Sequence, residues 1–132
     1  MIKILDLETY CDERGSLTVI ESMKNIPFDI KRIYYLFLNK GDVTRGKHAH
    51  KNLKQIYIAI SGTCAVTFDD GIKKTEIILN NPKKGLLIDE VVWRELSSFS
   101  KDCVLLVLAD NFFTKDDYIY DYSEFLNYIR SS

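Results

Sequence analysis

Helical periodicity is almost absent from this chain before residue 115. In its place stand short runs rich in Val, Ile, Tyr and Thr, divided by turn-forming residues. They fall at 2–7, 16–21, 32–39, 53–60, 63–69, 74–79, 85–88, 92–97 and 103–110. Strands this short and this frequent bury their apolar faces by packing on one another, which predicts an all-β sandwich or barrel. Asp70-Gly71, lying between Val66-Thr67-Phe68 and Thr75-Glu76-Ile77, predicts a hairpin, because the tight turn needs residues that tolerate positive φ. Asn39-Lys40-Gly41, Ser61-Gly62 and Asn80-Asn81-Pro82 mark further turns.

The C-terminal stretch has a different period. Tyr118, Tyr122, Phe125, Leu126 and Ile129 recur at helical spacing and form one apolar stripe. Thr114, followed by Asp116 and Asp117, reads as a hydroxyl cap with acids in the first turn. The expectation is therefore a β unit over about 1–113 and a helix over about 115–130, packed outside it or on a partner subunit. Leu, Ile, Val and Phe supply 43 of the 132 residues, enough for one core, so 1–132 reads as a single domain.

Composition narrows the partners. Eighteen Lys and Arg face nineteen Asp and Glu, for a formal charge of −1. That balance argues against nucleic acid, which calls for a clustered basic excess, but leaves room for one small anion met by a few of the five arginines. No apolar run approaches the ~20 residues of a membrane span, and Asp6 arrives too soon for a signal peptide. Cys11, Cys64 and Cys103 are odd in number and fit no zinc spacing. They read as buried free thiols of a cytoplasmic protein.

The informative stretch is Gly41-Asp42-Val43-Thr44-Arg45-Gly46-Lys47-His48-Ala49-His50, continuing to Gln55 and Gly62. Both histidines of the chain lie in it, two apart, so in a strand they face the same side. The stretch resembles the first cupin motif, a glycine followed by His-x-His, Glu and Gly. In metal-binding cupins these histidines, the glutamate and a histidine on a later strand hold the ion. Here Gln55 stands for the glutamate and Arg94 for the later histidine. A neutral amide is a weak ligand and a guanidinium repels a cation, so the resemblance implies the cupin jelly-roll β-barrel, with a short C-terminal α-helix, but no metal.

Further segments resemble the dTDP-sugar 3,4-ketoisomerases: Asp12-Glu13-Arg14-Gly15-Ser16-Leu17, Lys31-Arg32-Ile33-Tyr34-Tyr35, Arg45-Gly46-Lys47-His48-Ala49-His50-Lys51, Val92-Trp93-Arg94-Glu95 and Asp102-Cys103-Val104-Leu105-Leu106-Val107-Leu108-Ala109. The resemblance spans nearly the whole chain. It implies that a dTDP-4-keto-6-deoxyglucose exchanges its C4 ketone for a C3 ketone through an enediolate. Such a tautomerisation needs a base, a proton donor and polar groups for the oxygen charge, and no redox cofactor.

On that reading His48 is the principal base. His50 is a second proton carrier or the group that orients the first. Tyr34 polarises or protonates a sugar oxygen, while Tyr35, on the other face of the strand, is a weaker substrate contact. Arg45 suits the diphosphate through its planar fork. Arg14 reaches sugar or phosphate, Arg94 lies beside the sugar, and Gln55 bonds a ligand or a histidine. Arg14 and Arg94 occupy positions that vary in the family and leave the C4 configuration of the product open, galacto or gluco. The product would feed the installation of a 3-amino group for a lipopolysaccharide or other surface glycan. The aromatics Tyr10, Tyr34, Tyr35, Tyr57, Trp93, Phe112 and Phe113 are many for a small barrel, and a homodimer would bury some of them. The resemblance implies a homodimer with exchange of N-terminal strands, for which the apolar strand at 1–7 is suited. The competing readings are a dTDP-4-keto-6-deoxyglucose 3,5-epimerase and a non-catalytic sugar-binding cupin.

Overall fold

Along residues 93–97 the side chains alternate cleanly between two environments. Trp93 packs with Ala49, Ile119 and Phe125 on one side, while Leu96 joins Val66, Phe68, Leu86, Leu105 and Val107 on the other. That period of two is the signature of a strand buried on both faces, and it recurs through the computed structural model, which describes residues 1–131.

Twelve strands follow in chain order: β1 (Ile2–Asp6), β2 (Thr9–Asp12), β3 (Gly15–Thr18), β4 (Arg32–Leu36), β5 (Arg45–His50), β6 (Gln55–Ser61), β7 (Cys64–Asp69), β8 (Lys74–Leu79), β9 (Lys84–Ile88), β10 (Trp93–Ser97), β11 (Val104–Ala109) and β12 (Tyr118–Ile119). Helix α1 (Tyr122–Arg130) comes after them. One sheet runs β1-β9-β6-β11-β4, a second runs β12-β5-β10-β7-β8, and β2 and β3 form a separate ribbon. All strand pairs are antiparallel. The two five-stranded sheets face each other across a shared core, the cupin jelly roll. The Asp70-Gly71 turn joins β7 to β8 as expected, with Gly71 at φ +92° and the Asp69 carboxylate accepting from its amide at 2.8 Å.

The outer faces are covered as well. Leu7, Ile26 and Phe28 close over Ile56, Ile58, Leu87 and Leu108 of the first sheet. Helix α1 closes over the second sheet by inserting the fully buried Phe125 beside Trp93.

Three expectations need correction. The helix begins at Tyr122, capped by Asp121, whose side chain accepts from the Glu124 amide at 3.1 Å. Residues 115–117 form a single 3₁₀ turn in which Thr114 makes no side-chain cap. The reason lies further along: Tyr118 and Ile119 extend as β12 against His50 and Ala49, and a helix through them would forfeit that pairing. Second, Tyr57 and Trp93 are buried within the chain, so they require no partner to cover them. Third, Cys11 is exposed, whereas Cys64 and Cys103 are buried as expected.

Candidate active site

Because Ala49 points outward into the Trp93–Phe125 cluster, its neighbours His48 and His50 point into the barrel. The same alternation turns Arg94 inward between Trp93 and Glu95, and pairing across β5 and β10 sets it opposite His48. On the facing sheet, β6 brings in Gln55 and Tyr57, and β4 brings in Arg32 and Tyr34. Polar side chains thus meet at one end of an otherwise apolar core.

They are linked in two chains. In the first, His48 Nε2 lies 2.9 Å from His50 Nε2, and His50 Nδ1 lies 2.7 Å from Asp117 Oδ2. The other oxygen of Asp117 accepts from the Asn52 amide at 2.7 Å. His48 is half-buried, and His50 is 1% exposed. In the second chain Arg94, with 0% exposure, donates through Nη1 to Gln55 Oε1 at 2.6 Å. Gln55 Nε2 in turn donates to the Tyr34 hydroxyl at 3.1 Å, and the Tyr57 hydroxyl donates to Gln55 Oε1 at 3.3 Å. Tyr34 is an acceptor in this chain, so its own hydroxyl proton is not used by it.

Electrostatics follow from this packing. Burial, then the guanidinium of Arg94, then the neighbouring imidazole hold His48 down at about 3. Burial, Arg94 and Arg32 bring His50 to about 3 as well. Both rings are therefore neutral at physiological pH, the form a base requires. Burial pushes the Tyr34 phenol above its ordinary value, so it stays protonated. The Nε atoms of Arg94 and Arg32 are buried without a hydrogen-bond partner among the described residues. Unmet buried donors of this kind cost ~1–3 kcal/mol each, and an acceptor supplied by a bound ligand would recover it.

The residues singled out from sequence are not all gathered here. His48, His50, Tyr34, Gln55 and Arg94 come together. Gln55 is committed to Arg94, Tyr34 and Tyr57, so within the chain it positions those groups and bonds no histidine. Arg45 is exposed near the start of β5, with Nη1 donating to Asn39 at 2.7 Å. Tyr35 faces out from β4, 61% exposed against Phe37, because it alternates with Tyr34. Arg14 lies at the tip of the β2–β3 ribbon, 85% exposed and ion-paired with Asp12. Asp117, Arg32 and Tyr118, whose ring lies 4.3 Å from that of His50, were not legible from sequence. Asp117 looked like an acid of a helix first turn, and its contact with His50 spans 67 positions. Among the described residues no group of three or more His, Cys, Asp or Glu side chains is placed to hold a metal ion.

A histidine pair, a buried arginine and a phenol meet at one end of the interior of this cupin jelly roll. The chain belongs to the family described as FdtA: WxcM-like, C-terminal, whose model matches residues 1–130. It is 46% identical over 127 residues to the TDP-4-oxo-6-deoxy-alpha-D-glucose-3,4-oxoisomerase of Aneurinibacillus thermoaerophilus, covering 96% of this chain and 91% of that one. A 3,4-ketoisomerase from Helicobacter canadensis superimposes with a TM-score of 0.95 at 46% identity, over 98% of this chain and 97% of the other. A mutant of the 3,4-ketoisomerase QdtA from Thermoanaerobacterium thermosaccharolyticum, solved in complex with TDP-4-keto-6-deoxyglucose, superimposes with a TM-score of 0.96 at 37% identity, over 98% and 94% of the two chains.

Proposed function

We propose that this chain is a sugar 3,4-ketoisomerase that converts dTDP-4-keto-6-deoxyglucose to the dTDP-3-keto-6-deoxyhexose. The observation that carries the reading is the neutral His48–His50 pair set across the strand pairing from the buried Arg94, in a chain whose relatives are isomerases of this class. His48, the more exposed of the pair, takes the proton from C3. The electron pair left behind forms the C3–C4 double bond of an enediolate, and the former ketone oxygen becomes anionic. The Arg94 guanidinium and the Tyr34 hydroxyl meet that charge from a water-poor wall, where fixed donors act most strongly. The proton returns from the imidazole to C4, while the hydroxyl proton passes from O3 to O4. The ketone then stands at C3, with no net oxidation.

The remaining arginines fit the nucleotide end. Arg45, at the open rim, suits the diphosphate. Arg14 is exposed on its ribbon and pairs there with Asp12. Tyr10 and Leu17 on the same ribbon are 59% and 60% exposed, an apolar pair that a second copy would cover. A homodimer that exchanges N-terminal strands would bury this pair and carry Arg14 to the partner's rim. Leu17→Lys is expected to shift the chain to monomer in sedimentation, and a dimer that persists unchanged would remove this part. Unpaired thiols fit a cytoplasmic enzyme, and a 3-keto product suits an aminotransferase supplying a 3-amino-3,6-dideoxyhexose for a surface glycan such as a lipopolysaccharide O-antigen.

The test is incubation with dTDP-4-keto-6-deoxyglucose in D2O, followed by proton NMR. The expected result is a 3-keto product, with its C4 configuration read from the ring couplings. Inversion at C3 and C5 with the ketone retained at C4 would mark a 3,5-epimerase. No change in the sugar would leave a binding module.

A further inference from the structure

We propose that Asp117 is a positioning residue that sets the proton pattern of the histidine pair and lets His48 act as a base. The inference rests on the ketoisomerase reading above and deepens it. A carboxylate can only accept, and both oxygens of Asp117 are engaged, one by the Asn52 amide and one by His50 Nδ1. His50 therefore carries its proton on Nδ1 and presents a lone pair at Nε2. The proton in the 2.9 Å contact between the rings must then belong to His48 Nε2. In a neutral pair this leaves Nδ1 of His48, on the side of the Gly46 backbone, as its nitrogen without a proton, facing neither the other ring nor the carboxylate. His50, 1% exposed and with both nitrogens spoken for, is held away from the substrate.

The arrangement solves a difficulty set by the burial of the pair. Burial and the positive charge of Arg94, joined at His50 by Arg32, keep both rings neutral but oppose the imidazolium that forms once a C3 proton is taken. Asp117 is the negative group bonded to this chain, its side chain only 12% exposed, so its charge is weakly screened. When His48 Nδ1 gains the C3 proton, its Nε2 proton can shift to His50 Nε2, and the positive charge moves to the ring beside Asp117. One N–H bond breaks and one forms at each link, and reversal returns the proton to the sugar. Placement is fixed by backbone: β12 pairs with β5 at Tyr118–His50 and Ile119–Ala49, directly after Asp117, and the Lys51 amide donates to the Asp117 carbonyl at 2.9 Å.

Asp117→Asn tests this, because an amide offers one acceptor where two donors point. If the amide oxygen stays on the Asn52 amide, its NH2 faces His50 Nδ1 and drives that ring to the Nε2–H form. Imidazole ¹⁵N chemical shifts read the tautomer directly. The expected results are a switch of the His50 proton from Nδ1 to Nε2, and a loss of about 10²-fold in kcat with KM changed by less than about threefold. In a His50→Asn background Asp117→Asn should add almost nothing, since the carboxylate acts through His50. Asp117→Glu, which keeps the charge, should recover part of the loss. An unchanged tautomer with unchanged kcat would overturn the inference, as would equal losses with and without His50. Should Asp117→Asn unfold, the double-mutant comparison made with Asp117→Glu decides. An inactive parent protein would instead overturn the ketoisomerase reading, and the ¹⁵N result would still stand or fall alone.

Discussion

Arg94 and Arg14 place the same guanidinium in opposite surroundings. Arg94 is fully buried in the middle of a sheet, held by Gln55 and by the Val92 carbonyl, and its charge depresses both histidines. Arg14 sits on a two-stranded ribbon in solvent, paired with Asp12 two residues away. A surface pair of this kind contributes about 0–1 kcal/mol, and salt screens it. The lesson is that a guanidinium acts on chemistry when the fold removes its water and fixes its position. One left exposed on a ribbon keeps its water and is held only by its surface partner.

The largest expected effect lies in the interior. His48→Asn should lower turnover by about 10³-fold or more, because it removes the base while the amide still fits the space. Thermal melting should be nearly unchanged, and a matching loss of stability would shift the blame to packing. Phe125→Ala comes next: it opens a cavity behind Trp93 and should cost about 3–5 kcal/mol in denaturant unfolding. A cost below 1 kcal/mol would mean that α1 contributes little to the core.

Arg94→Met breaks the comparison at its buried end. Removing a positive neighbour favours the protonated imidazole, so both histidines should titrate above about 3, as followed by NMR. Histidine resonances that do not move would show that Arg94 does not govern the pair. The same depression gives stability a pH dependence. Between about 6.5, the ordinary histidine value, and about 3, the unfolded chain binds protons that the folded pair refuses. Stability present above about 6.5 is therefore lost as pH falls towards about 3. Arg94→Met should narrow that window from below, a smaller effect than those above. Matching unfolding curves for parent and variant from pH 6 to 4 would contradict it.

The barrel was legible in sequence because strand alternation and turn residues are local signals. The inward placement of His48, His50 and Arg94 and the separation of Tyr34 from Tyr35 follow from the same period of two. What escaped was set by distance. From sequence Arg14 falls with the site, while its ribbon forms a two-stranded sheet of its own. Thr114-Lys115-Asp116-Asp117 carry the local marks of a helix start, yet they form a single 3₁₀ turn because Tyr118 and Ile119 pair with β5, and Asp117 meets His50. Gln55 reads from sequence as facing a ligand or a histidine; within the chain it bonds Arg94 and two tyrosines, 39, 21 and 2 positions away. Nothing in a single sequence marks such partners.

The central claim is that the interior histidine pair moves the ketone from C4 to C3. It is tested most directly by proton NMR of dTDP-4-keto-6-deoxyglucose with the parent protein and with His48→Asn, side by side at equal concentration. The account predicts a 3-keto sugar from the parent and essentially none from the variant over the same interval. A variant that forms the 3-keto sugar at the parent's rate would contradict it.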